Sequence, residues 1–309
     1  MAEWKEYTVA DVISTVIDYR GKTPKKLGGD WSDSGYRALS AKNIKTGKIV
    51  QPESIRYVSE DMYRCWMKEE IQKEDILITS EAPFGQIYYW DNDEKIVLSQ
   101  RLFAVRINQR FYPKYIYFYM TSSFFQTELD GRATGTTVVG LRQPELLKCK
   151  IFAPDYQEQK RIADTLWCLE QKINNNEAIN NNLEQQAQAI FANEFLSLDT
   201  LPDGWKKASL IDIADYLNGL AMQKYRPNTD EIGIPVLKIK ELRQGCCDDN
   251  SELCSPSIKS DYIIHDGDVI FSWSGSLLVD FWCGGICGLN QHLFKVTSSK
   301  YDKWFYYAF

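Results

Sequence analysis

Histidine is nearly missing from this sequence, with His265 and His292 as its two occurrences in 309 residues. No paired-histidine metal motif is therefore available, and neither a G-x-S-x-G elbow nor a phosphate-binding P-loop is present. No run approaches the roughly 18 apolar residues of a membrane-spanning helix. The opening MAEWKEYTV lacks a basic start followed by an apolar core, so a cytoplasmic protein without membrane attachment is expected. Eight cysteines (65, 149, 168, 246, 247, 254, 283 and 287) are scattered without pairing, which reads as reduced thiols. Cys283 and Cys287, with His292 nearby, offer metal-ligating atoms. A lone C-x-x-x-C in an apolar, strand-like run nevertheless reads better as buried small hydrophobes.

What is present is ordinary globular material, 44% apolar and 25% charged, long enough for about two domains. The net charge of -6 argues at first against a nucleic-acid partner, because phosphate contacts need Lys and Arg. Its distribution tells a different story. Residues 1–155 carry 22 basic and 21 acidic side chains, against 14 and 21 in residues 156–309. Within the first half, Arg20, Lys22, Lys25, Lys26, Arg37, Lys42, Lys45 and Lys48 face just Asp30 and Asp33 along the same stretch. Such a patch suits phosphates or a solvated loop equally.

From Pro154 to Leu198 neither Pro nor Gly interrupts the chain after Pro154. Ile162, Leu166, Leu169, Ile173, Asn176, Asn180, Leu183, Ala187, Ile190 and Glu194 recur at alternating steps of four and three, the spacing of a coiled-coil stripe. The spacing predicts a single long helix over 156–198, roughly 60 Å in length.

The flanking segments resemble each other. WKEYTVADVISTVIDYRG from Trp4 matches WKKASLIDIADYLNGLA from Trp205, GYRALSAKNIKTGKI matches GIPVLKIKELRQGCC, and EEIQKEDILITS matches DYIIHDGDVIFSW with Asp75 opposite Asp268. LSQRLFAVRI matches LNQHLFKVTS with Gln100 opposite Gln291, and PKYIYFYM matches DKWFYYAF. Five blocks in order imply two copies of one domain, 1–155 and 199–309, separated by the helix. In the first copy a helix is expected near Thr8–Ile17, strands near Tyr36–Leu39, Ile76–Thr79, Gln86–Trp90 and Leu102–Ile107, and a helix near Lys114–Leu129. Strands and helices do not alternate regularly, so the class is α+β. Counterparts of residues 135–154 and of the long helix do not follow the second copy.

Catalytic constellations are poor. Glu81-Ala82-Pro83-Phe84 is a near miss to the loop with which amino-methyltransferases hold an amine, but Ala82 accepts no hydrogen bond. Asp75 and Glu81 have the residue type of metal-binding nuclease acids, yet Asp75 reads more simply as the polar turn before a buried strand. What remains suits recognition, since Arg, Lys, Asn and Gln read base edges and Ser and Thr assist. Such residues recur in loop-like positions: Lys22, Thr23, Ser40, Lys42, Asn43, Ser80, Gln100, Arg101, and Thr136, Thr137 and Arg142 in a Gly/Thr-rich run with Arg at both ends. Gln291 and Lys240 repeat Gln100 and Lys42 before and after equivalent strands.

The segment Gly135-Thr136-Thr137-Val138-Val139-Gly140-Leu141, then Pro154, Gln157-Glu158-Gln159, Ile162 and Leu166 resembles the specificity (S) subunits of type I restriction-modification systems at the junction between recognition domain and spacer helix. Gly21-Lys22-Thr23-Pro24, Asp75-Ile76-Leu77 and the Gln100 and Gln291 blocks add to the likeness. The resemblance implies a non-catalytic reader of double-stranded DNA with two target-recognition domains, each reading half of a split site. It implies two methyltransferase subunits that bind S-adenosylmethionine and methylate adenine N6, and restriction subunits that use ATP and Mg²⁺. No cofactor is expected in this chain. DNA contacts are expected from Lys22, Thr23, Lys42, Asn43, Gln100, Arg101, Thr136, Thr137 and Arg142, echoed by Lys238, Lys240, Gln291 and His292. Partner contacts are expected from Ile162, Leu166, Leu169, Ile173, Asn176, Asn180, Leu183 and Ile190. The family's second spacer helix has no counterpart here, so a fragment, a truncated and non-functional form, or self-association through the spacer stripe is expected. The recognition half of a related combined nuclease and methyltransferase is the alternative.

Overall fold

The structure is a computed structural model that describes residues 3–134, 140–197, 202–275 and 277–308. It divides into two compact units, Met1–Asn193 and Glu194–Phe309.

The first unit opens with β1 (Lys5–Thr8), the single turn α1 (Val9–Val12) and β2 (Ile13–Asp18). The Thr8 backbone N–H and hydroxyl both donate to Asp11 Oδ2, at 2.8 and 2.7 Å, and so start α1. The helix expected over Thr8–Ile17 is thus corrected after one turn. Ile13, Thr15, Val16 and Ile17 are β-branched and favour extended backbone, and a neighbouring strand supplies the hydrogen bonds.

Next come β3 (Tyr36–Leu39), the short β4 (Ile44–Lys45) and β5 (Lys48–Ile49), β6 (Arg56–Val58) and α2 (Glu60–Trp66). Four strands follow, β7 (Ile76–Thr79), β8 (Ile87–Tyr89), β9 (Ile96–Leu98) and β10 (Leu102–Ile107). The segment expected as one helix near Lys114–Leu129 is two, α3 (Pro113–Thr121) and α4 (Ser123–Gly131). Ser122 is extended there, and its hydroxyl caps α4 by accepting from the Phe125 N–H at 3.3 Å. The unit ends with α5 (Gln143–Leu147), β11 (Lys150–Ala153) and α6 (Tyr156–Phe191).

An antiparallel sheet runs in the order β2-β10-β7-β8, and a second pairs β3 with β6 antiparallel and with β9 parallel. The first sheet is buried on both faces. Ile76, Ile78, Phe103 and Val105 join a core with Ile116, Phe125 and Leu146 of the helices. The alternate residues Leu77, Leu102 and Ala104 join Leu39, Trp66, Trp90 and Val97 on the other side.

The root of α6 is built into this unit. Asp155 caps it by accepting from the Glu158 N–H at 3.0 Å, and the buried Gln159 accepts from the Tyr112 N–H at 3.0 Å while donating to the Pro154 carbonyl at 2.9 Å. Trp167 packs among Tyr89, Tyr117 and Phe118, with Lys114 Nζ 4.7 Å from its ring centre. Tyr117 donates to Glu170 at 3.0 Å, and Lys48 pairs with Glu177. From there to Ile190 every described residue is exposed. With 36 residues, α6 is about 54 Å long. Ile162 lies half-buried at the root, whereas Leu166, Leu169, Ile173, Leu183 and Ile190 are 38 to 63% exposed along one stripe that also holds Asn176 and Asn180.

The second unit contains α7 (Leu210–Ile213), β12 (Asp215–Asn218), β13 (Ile234–Leu237), α8 (Ile239–Gln244), β14 (Leu253–Cys254) and β15 (Ile263–Ile264). Then follow β16 (Val269–Ser272), β17 (Leu278–Phe281), β18 (Cys287–Leu289), β19 (Leu293–Thr297) and α9 (Lys303–Ala308). Its sheet order β12-β19-β16-β17 repeats β2-β10-β7-β8, and the parallel pair of β13 and β18 repeats β3 and β9. Ser209 and Asp212 rebuild the Thr8 and Asp11 cap at 2.7 Å. Asp75 is buried and paired with Arg106 at 2.9 Å; its counterpart Asp268 is paired with Lys295 at 2.8 Å, from the position matching Ala104. Positions 104 and 106 share one strand face, so the cation has moved by one side-chain step while the carboxylate stayed.

Candidate nucleic-acid interface

The turn between β9 and β10 is tied down at three points. Ser99 N–H donates to the Leu39 carbonyl at 2.7 Å, the Gln100 carbonyl accepts from Ala41 at 3.0 Å, and the Arg101 carbonyl accepts from the Ser80 N–H at 2.8 Å. Fixing the backbone this way holds Arg101 at a φ of 62°, in the left-handed region, where a non-glycine residue is uncommon. Gln100 and Arg101 are both exposed at the turn.

They open onto a cleft of about 1180 Å³ that also collects Thr23 and Arg142 from the expected contacts. Thr136 and Thr137 lie outside the described residues. Arg20, Lys26, Ser80, Glu81 and Gln143 share the lining. Arg20 is braced by Asp18 at 2.6 Å, donates to the Leu141 carbonyl at 3.3 Å, and lies 4.8 Å from the centre of the Phe103 ring. Arg101 pairs with Glu81, Nε to Oε1 at 2.8 Å. Four cations, Arg20, Lys26, Arg101 and Arg142, thus face two carboxylates, Asp18 and Glu81. Beside it, a smaller cavity of about 130 Å³ gathers Lys42, Ser40, Gln100 and Arg56, with Arg56 5.1 Å from the centre of the Trp31 ring.

Two of the expected contacts are engaged elsewhere. Asn43 is 1% exposed; its Oδ1 accepts from the Ser40 N–H and hydroxyl, and its amide donates to Ser54 Oγ at 2.9 Å. Lys22 donates to the Trp66 carbonyl at 3.0 Å and sits 4.5 Å from the centre of the Tyr19 ring. Both hold loops together: Asn43 as a short polar side chain that competes for nearby backbone partners, and Lys22 as a long ammonium that reaches a distant carbonyl.

In the second unit Lys238, Lys240, Gln291 and His292 converge on one cleft of about 460 Å³, with Gln223 and Glu252. Lys238 and Arg226 both pair with Glu252. The Lys238 hydrogen bond, against the opposing effect of desolvation and with Arg226 alongside, holds the Glu252 carboxyl below its ordinary range. Lys240 pairs with Asp248 at 3.2 Å and lowers that carboxyl likewise. His292 stacks at a tilt on Trp273, ring centroids 6.1 Å apart.

Sequence reasoning passed over Arg20, Lys26 and Trp273 as site residues. The two cations belong to the basic run from Arg20 to Lys48, and Trp273 matches Ser80 in the repeat, so the alignment was the usable signal. The first cleft offers guanidinium, ammonium and amide donors, and the second ammonium, amide and imidazole groups, all of the kind that grip phosphates and base edges. The candidate acids are spent in ion pairs, Asp75 with Arg106 and Glu81 with Arg101. Among the described residues no group of three or more His, Cys, Asp or Glu is arranged to hold a metal ion, and no helix is long and apolar enough to cross a membrane.

Two copies of one mixed domain on either side of a long helix, each with a polar cleft at the same strand ends, define a class that the comparisons name. Residues 1–185 match the family described as type I restriction modification DNA specificity domain, and the chain belongs to that family. Among curated relatives, the MjaIX specificity subunit of Methanocaldococcus jannaschii is 24% identical over 224 residues, covering 67% of this chain and 51% of that protein. The EcoKI specificity subunit of Escherichia coli K12 is 24% identical over 310 residues, covering 93% of this chain and 65% of that protein. The chain thus spans about half to two thirds of the length of these relatives. The crystal structure of the type I restriction-modification S subunit from M. genitalium covers 99% of this chain and 76% of its own, with a TM-score of 0.59 at 15% identity, a likeness of fold.

Proposed function

We propose that this chain is the DNA-reading subunit of a type I restriction-modification complex. The first unit's cleft reads one half of a split double-stranded site and the second unit's cleft the other. The observation that carries this reading is the convergence of Gln100, Arg101, Thr23 and Arg142 on one cleft at the anchored β9 to β10 turn. Nothing in that cleft does covalent chemistry in this reading: its cations grip phosphates and its amide and guanidinium groups read base edges.

The reaction belongs to partners. Methyltransferase subunits, carrying S-adenosylmethionine, methylate adenine N6 in the chosen site, and restriction subunits use ATP and Mg²⁺ to act on unmodified DNA. The exposed stripe of α6 supports a partner helix, because Leu166, Leu169, Ile173, Leu183 and Ile190 leave an apolar face uncovered. Asn176 and Asn180 within that stripe set its register, as polar residues do at coiled-coil seams.

Long-read methylation mapping tests the proposal. Cells expressing the chain with its methyltransferase partners gain N6-methyladenine in a bipartite motif that is lost when the chain is deleted. An unchanged methylation pattern after deletion counts against it.

A further inference from the structure

We infer that Arg101, held by Glu81, is a guanine-reading side chain of the first unit and sets the base identity at one position of its half-site. The inference rests on the DNA-reading role proposed above and deepens it.

What recurs between the two units is scaffold. The Thr8 and Asp11 cap returns as Ser209 and Asp212, the buried Asp75 returns as Asp268, and Gln100 returns as Gln291 at the same turn. The pair of Arg101 and Glu81 does not recur: the matching residues are His292 and Ser274, and His292 lies against Trp273. Arg101 has a positive φ, whereas His292 is not among the described residues with that conformation. Two halves of an asymmetric site need different reading groups on a common frame, and this is a position where frame and reading group part company.

The local geometry is that of a pre-set reader. Arg101 remains half exposed while its Nε lies 2.8 Å from Glu81 Oε1. Glu81 is itself fixed through its neighbour, since Ser80 donates to the Arg101 carbonyl at 2.8 Å and the Ser80 carbonyl accepts from the Leu141 N–H at 2.8 Å. A guanidinium engaged through Nε keeps its two terminal amino groups, which match the O6 and N7 acceptors of guanine in the major groove. The carboxylate restricts the rotamers of a long side chain before DNA arrives, so less freedom is lost on binding.

The full chain is bound to a library of randomised DNA duplexes and the retained sequences are read. Wild type enriches a half-site with an invariant guanine. Arg101→Ala lowers the preference at that one guanine by roughly tenfold or more, as loss of a bidentate contact requires, and leaves the other positions unchanged. Glu81→Gln, which keeps the arginine and removes its brace, reduces the same preference to a smaller degree. If Arg101→Ala weakens all sequences uniformly, changes no position, or relaxes a position that is not guanine, the inference is overturned while the DNA-reading role stands. If wild type enriches no sequence, both fall together.

Discussion

Trp167 of α6 meets Tyr89 of β8 edge to face, with ring centroids 5.3 Å apart. The contact joins the long helix to a strand of the main sheet, and Tyr117, Phe118 and Lys114 complete the enclosure. Trp167→Ala is expected to destabilise the first unit by about 2–3 kcal/mol, below the usual range for a fully buried Trp because this one is half-buried. Urea denaturation followed by the remaining tryptophans measures it. A loss under about 0.5 kcal/mol, the size of an ordinary surface change, contradicts the clamp.

Arg106 bridges the buried Asp75 and the rim residue Glu69. Removing the cation with Arg106→Met leaves Asp75 buried without its partner, which costs about 3–5 kcal/mol. Adding Asp75→Asn to that variant is expected to restore part of the loss, because the orphaned charge is gone. A double variant no more stable than the single one rules out charge burial as the cause.

Asn43 is a loop anchor. Asn43→Ala removes its capping and cross-loop hydrogen bonds and is expected to cost about 1–3 kcal/mol. Base preference in the same randomised-duplex selection stays as in wild type, and a shift at a single base position would return this residue to the reading surface.

Arg142 is exposed and lines the same cleft as Gln100 and Arg101, at the N-terminal boundary of α5. As a phosphate contact, Arg142→Gln is expected to weaken all DNA sequences alike and to lower the slope of log affinity against log salt by about 1. Titrations between low and moderate salt give the slope, and a loss confined to one base identity would assign the residue to base reading.

The β strands at Tyr36, Ile76 and Leu102 were legible because each is a short apolar run bounded by turn residues, and the long helix because its stripe continues for ten positions without Pro or Gly. The segment after Thr8 was not. Val9, Val12, Ile13, Val16 and Ile17 satisfy a helical period, yet their β-branching and the open edge of β10 select a strand after one turn. The break at Ser122 is a capping event that apolar periodicity does not register. Residue type singled out Gln100, Arg101 and Arg142, which line one cleft, and equally Asn43 and Lys22, which bond to Ser54 and to the Trp66 carbonyl. Separating the two groups needs knowledge of which backbone carbonyls lie within reach, and those come from strands and helices far along the chain.

The clamp ends at the pair of Lys48 and Glu177, after which α6 proceeds with every described side chain to Ile190 in solvent. Deleting one residue from that free stretch rotates everything beyond it by about 100° and shortens the helix by about 1.5 Å. The stripe after the deletion then falls out of phase with the stripe before it. Changes of seven residues come close to restoring phase. Length variation along this helix is therefore quantised: single steps break the stripe, and whole heptads add or remove about 10 Å of helix while keeping it nearly intact.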